Sequence, residues 1–84
     1  MRLLWKQKKM GIDLVVEDDE KDQFVVGGVR DTKRGIEALA KTTGYDPSRA
    51  IKGLSSIEEG KTFVENFQPW REFFPGEELN VELE

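Results

Sequence analysis

Lys33-Arg34-Gly35-Ile36-Glu37-Ala38-Leu39-Ala40-Lys41-Thr42-Thr43-Gly44-Tyr45-Asp46-Pro47-Ser48-Arg49-Ala50-Ile51-Lys52-Gly53-Leu54 is the stretch whose reading settles the fold class. Ile36, Leu39 and Ala40 stand at i, i+3 and i+4, the spacing of one buried helical stripe. Glu37 has Lys33 and Lys41 four residues to either side, and Asp31 or Thr32 supplies a cap, so Lys33–Thr42 is predicted as a helix. Gly44 fits its end, where φ turns positive without a Cβ clash. Asp46 at the N-cap and Pro47 at the first helical position then open a second, short helix, Arg49–Leu54, with Ala50, Ile51 and Leu54 inward.

Upstream, Ile12, Leu14 and Val16 alternate with Asp13, Val15 and Glu17, the pattern of a half-buried strand. Gln23-Phe24-Val25-Val26 reads as its hairpin partner across the solvated run Asp18–Asp22, and Leu3–Gln7 as a third strand. Downstream, Ser56-Ile57-Glu58-Glu59 matches a capping box, opening a third helix that Pro69 ends. Within it Gly60 lacks helix propensity, which points to a close crossing that needs its missing side chain. Leu79, Val81 and Leu83 alternate as a terminal strand. The expected fold is therefore α+β: a short antiparallel sheet of N-terminal strands plus the C-terminal strand, packed against two or three helices.

With 84 residues the chain is expected to form one small domain, 1–84. Leu, Ile, Val and Phe supply 23 of the 84, enough for a folded core. There is no Cys and no His, which removes thiolate nucleophiles, disulfides, histidine relays and zinc fingers. Carboxylates, amines and hydroxyls remain, so no enzyme, cofactor or metal site is expected. No apolar run approaches the length of a bilayer span or a signal peptide, so a cytoplasmic location without membrane contact is expected. The closing Leu83-Glu84 matches the residues that commonly precede a purification tag and carries no functional weight.

The net charge of −4 conceals blocks. Residues 1–10 hold four basic and no acidic groups, and 30–52 hold six basic against three acidic. Residues 11–29 and 53–84 are acidic. The span Ile36–Leu54 resembles a helix-turn-helix unit, with Ala40 at a close crossing and Gly44 at the turn. The resemblance implies that Ser48, Arg49 and Lys52 form a recognition face, with Arg30, Lys33, Arg34 and Lys41 near phosphates. Folding either gathers Lys6, Lys8 and Lys9 beside Arg30, Lys33 and Arg34 or pairs them with Asp18, Asp19 and Glu20. Gly27-Gly28 lacks the remaining positions of a phosphate-binding loop, and Asp18–Asp22 lacks those of a calcium loop.

Phe67, Trp70, Phe73 and Phe74 place four aromatics within eight residues. Some complete the core; the remainder suits a contact surface. Trp5, Trp70, Arg71, Phe73 and Phe74 are therefore the expected protein interface. The functional expectation is a non-enzymatic protein-interaction domain or accessory subunit, with a homo-oligomer or another protein as partner. The alternative is a nucleic-acid-binding regulator built on residues 36–54.

Overall fold

The computed structural model describes residues 1–82. Five consecutive antiparallel strands come first: β1 (Arg2–Lys8), β2 (Gly11–Glu17), β3 (Gln23–Thr32), β4 (Gly35–Ala40) and β5 (Ala50–Leu54). Helix α1 (Ile57–Phe67) follows. After a left-handed residue at Gln68 (φ 51°) and Pro69, one more helical turn, Trp70–Phe73, bends away from it. The chain closes with β6 (Val81–Glu82) beside β1. The sheet order is β5-β4-β3-β2-β1-β6; β1 and β6 pair in parallel and the other neighbours are antiparallel.

Two expected helices are absent, so the architecture is a six-stranded sheet with a single bent helix, not a short sheet under two or three. Lys33 and Arg34 form a hairpin turn, with Gly35 at φ 110°, and residues 35–40 are β4. Along β4, Ile36, Ala38 and Ala40 are buried while Leu39 is 48% exposed. That period of two, set by pairing with β3, overrides the helix propensity of Glu, Ala, Leu and Lys. The helix-turn-helix likeness of residues 36–54 goes with it. Asp46 does cap, accepting from Ser48 N at 3.0 Å, but the helix it opens is one 3-10 turn, Pro47–Arg49, which leads into β5. The third helix stands as read, with Ser56 Oγ accepting from Glu59 N at 3.1 Å. Of the terminal strand, Val81 and Glu82 pair with Leu3 and Leu4, and Leu83 lies outside the described residues, as does the Leu83-Glu84 pair.

Cross-strand neighbours share a face, so the register sorts the side chains. Trp5, Leu14, Gly27 and Ala40 form one row beneath the helix, and Ile12, Val29, Ala38 and Ile51 another. Helix α1 packs chiefly across β3 and β4. Gly60 is where it comes closest: a Cβ there would sit 2.6 Å from Val29 Cγ1. Gly27 serves the same approach from the sheet, since its Cβ would meet Val64 Cγ1 at 2.6 Å. Toward the other end Trp5 donates from Nε1 to Glu65 Oε2 at 2.8 Å, tying β1 to α1.

Strand β3 carries a bulge. Leu14 pairs with Gly27 but Val15 pairs with Val25, leaving Val26 as the extra residue. Val26 turns into the core at 0% exposure. The bulge lets the small and charged residues Gly28 and Arg30 share the open face with Val25, while Phe24 and Val29 both face the helix.

Candidate functional site

Among the described residues, no element packs on the face of the sheet away from α1. Its central row reads Lys6, Asp13, Gly28, Leu39, Ala50, and the next row Lys8, Gly11, Arg30, Glu37. Leu4 and Val15 pair on this face and are buried at 6% and 0% by their neighbours, apart from the main core. Between β3, β4 and β5 the surface dips into a hollow of about 410 Å³. Val25, Gly28, Leu39 and Ala50 line it, and Arg30, Glu37, Lys41 and Lys52 border it.

Two carboxylates are sunk into this face, Asp13 at 7% and Glu17 at 6% exposure. Arg30 Nη2 stands 2.7 Å from Asp13 Oδ1, an ion contact too far off-axis to be a hydrogen bond. Arg30 Nη1 donates to the carbonyls of Ile12 and Val29, each at 3.1 Å. Gly28 makes room for this pair, since a Cβ there would lie 2.9 Å from Asp13 Oδ1. Glu17 accepts from Gln23 Nε2 at 3.0 Å and has Arg2 Nη1 at 3.5 Å and Lys6 Nζ at 4.0 Å. The Gln23 bond chiefly, then the nearby cations, hold its carboxyl below the usual range against the opposing effect of burial. Ser48 holds Asp46 low in the same way, and Thr42 with Arg49 holds Glu72 low.

The sign of the resulting pH dependence is fixed. Depressed carboxyl pKa values mean that the unfolded chain binds more protons than the folded one in that window. The stability they contribute is complete above the ordinary value of 4.5 for Glu and is lost as pH falls through the folded values. We expect urea midpoints to hold from pH 7 to the upper edge of the carboxylate range and to fall below it. Glu17→Gln is expected to flatten part of that fall, and an unchanged acid limb would remove Glu17 from the account.

The sequence-derived basic residues divide. Strands β1 and β3 run toward one end of the sheet, so the β1–β2 turn (Lys9, Met10) and the β3–β4 turn (Lys33, Arg34) sit there together. Asp31 N donating to Met10 O at 3.0 Å joins them. Lys8, Arg30 and Lys52 complete the group. Lys8, Lys9, Lys33, Arg34 and Lys52 are all exposed, and among the described residues none is ion-paired. Lys6 does not join them, because it pairs with Glu17 farther down the face. Ser48 is at the other end, its hydroxyl donating to Asp46 Oδ1 at 2.6 Å.

Arg49 is buried at 9% and works as a clamp. Its Nη2 donates to Lys41 O at 2.7 Å and pairs with Glu72, which also accepts from Thr42 Oγ1 at 2.8 Å. The guanidinium lies 4.7 Å from the Phe67 ring centroid. It pins the loop after β4 to the far end of the helical segment and presents no charge to a ligand.

The expected interface aromatics also separate. Trp5 and Trp70 are 5% and 6% exposed. Phe73 and Phe74 are half-buried against Phe24, with ring centroids 5.1 and 5.5 Å away, and Arg71 is exposed. Leu39 and Ala50, assigned inward by the helical reading, face the hollow instead. The turn glycine after Lys33-Arg34 and the alternation of Ile36, Ala38 and Ala40 are the signals that mark them.

Comparison with known proteins gives no matching family pattern and no significant match among curated proteins or solved structures. Among the described residues, no helix is long and apolar enough to cross a membrane.

Proposed function

We propose that this chain is a non-enzymatic nucleic-acid-binding domain that takes a single strand on the open face of its sheet. The carrying observation is the grouping of Lys8, Lys9, Lys33, Arg34 and Lys52 with Arg30 at one end of an otherwise acidic molecule. From β1 to β5 this group crosses four strand spacings, about 19 Å. Over that length one nucleic-acid strand in duplex geometry carries about five phosphates. The aliphatic hollow beside the group favours an unpaired strand, whose bases are free to leave the phosphates and settle on an apolar floor; a duplex keeps its bases inside. Asp31 and Glu37 interrupt the group, and among the described residues neither forms an ion pair with it.

Five phosphate contacts on a single strand imply a slope of about −3.5 in log affinity against log salt, or a loss of about 100-fold between 50 and 200 mM. Anisotropy titration of labelled single-stranded and duplex oligonucleotides measures it. Lys33→Glu with Arg34→Glu is expected to weaken single-strand binding at least tenfold, while Arg71→Glu leaves it unchanged. Equal affinity for duplex removes the hollow from the site; no binding at tens of micromolar protein overturns the reading.

A second reading rests on Leu39, which stands half-exposed on that aliphatic floor. An apolar centre with charges around it also suits a protein partner, and the positive excess among the exposed charges selects an acidic one. Retention of an acidic protein by the wild type and not by Leu39→Glu, with no oligonucleotide binding, decides for it.

A further inference from the structure

The two ends of the sheet are opposite in charge, and each exposes an apolar group. At the basic end Met10 is 62% exposed at the tip of the β1–β2 turn, with Lys8 and Lys9 preceding it and the Lys33-Arg34 turn alongside. At the other end the β2–β3 loop carries Asp18, Asp19, Glu20 and Asp22 against one cation of its own, Lys21, with the N-terminal ammonium 4.0 Å from Asp19 Oδ1. Asp18 Oδ1 holds this loop in shape by accepting from the N–H groups of Glu20 and Asp22 at 2.9 and 3.0 Å. Two residues beyond Asp22, Phe24 is 43% exposed at the edge of its cluster with Phe73 and Phe74. Glu77 N donates to Phe74 O at 3.2 Å, bringing another carboxylate to the same end.

We infer that the molecule associates head to tail with a second copy, the Met10 tip of one seating on the Phe24 end of the next. A thioether against aromatic edges is a favourable contact, and here a lysine and arginine rim meets a rim of carboxylates. A two-fold dimer joining like ends would set basic tip against basic tip, so charge selects the heterologous contact. Such a contact repeats, forming short chains rather than one closed dimer. The inference shares the basic tip with the proposed nucleic-acid site but does not rest on that reading.

Sedimentation in the absence of nucleic acid tests it. At 50 mM salt the weight-average mass is expected to rise above 9.6 kDa between 10 μM and 1 mM protein, and to return to the monomer at 0.5 M salt. A mass that stays monomeric at 1 mM overturns the inference. Two surface variants, Lys33→Gln with Arg34→Gln and Asp19→Asn with Glu20→Gln, each disable one end. Each alone is expected to be monomeric, and an equal mixture to reach about twice the monomer mass, because one intact interface forms between them. Association that survives in either variant alone, or a mixture that stays monomeric, equally overturns it.

Discussion

Arg49→Ala is expected to lower the melting temperature by roughly 10–20 °C, corresponding to about 2–3 kcal/mol in a domain of this size. The substitution removes the bond to Lys41 O, the pair with Glu72 and the cation over Phe67 at once. It also leaves Glu72, 31% exposed, with the Thr42 hydroxyl and the Thr43 backbone as its remaining partners. Because Glu72 retains some access to water, the cost falls below that of a fully buried orphan charge. Replacing both partners, Arg49→Met with Glu72→Met, is expected to recover most of the loss, since an apolar pair needs no compensating charge. A thermal melt of Arg49→Ala within a degree of wild type would falsify the clamp.

Gly60→Ala is the second large effect and runs against helix propensity. In an isolated helix alanine gains nearly 1 kcal/mol over glycine. Here the new methyl would lie 2.6 Å from Val29 Cγ1 and 3.0 Å from its Cγ2. Val29 is fully buried and β-branched, so it cannot swing aside in a strand. Overpacking of this kind costs about 1–3 kcal/mol, and a net destabilisation of about 1–2 kcal/mol is expected. Val29→Ala opens its own cavity, yet the double variant should be less destabilised than the two single losses added together, by about 1 kcal/mol or more. Denaturant midpoints for the four proteins give the coupling directly. A rise in stability for Gly60→Ala would show that α1 moves off the sheet freely.

The N-terminal strands and the Ser56-capped helix were legible because alternation and capping are local properties. Ser56, Ile57 and Glu59 form their motif within four residues, and Ile12, Leu14 and Val16 alternate without ambiguity. Residues 33–54 were not, because the helical spacing of Ile36, Leu39 and Ala40 competes with the alternation of Ile36, Ala38 and Ala40. Only pairing with β3, and the closeness of α1 over Ala38 and Ala40, resolves that contest. The candidate site followed the fold. Arg30, Lys33, Arg34 and Lys52 keep their place in it although the helices meant to carry them are absent. Lys8 and Lys9 come from a distant block and join through sheet topology. Arg49 leaves the site because its neighbour in space is Glu72, 23 residues along the chain. Trp5 and Trp70 are buried for a similar reason: a sheet with one helix needs large side chains to fill the space beyond α1.

The bulge at Val26 gives β3 one position at which the chain can change length by a single residue. Strand β3 is two half-strands spliced out of phase, and the splice decides which side chains meet water on each half. Deleting Val26 would set Val25 and Gly27 side by side opposite Val15 and Leu14, so Phe24 and Val29 would keep the helix side and Val25 and Arg30 the open side, at the cost of the buried Val26 side chain. Elsewhere in β3 a single insertion or deletion makes one half trade its inner and outer faces, so changes there are tolerable only in steps of two, whereas the turn at Lys33-Arg34, outside the ladder, can lengthen by any number. A length-variant library of this sheet should record that arithmetic directly, with single-residue survivors in β3 confined to the bulge, even steps elsewhere in the strand and no restriction at the turn.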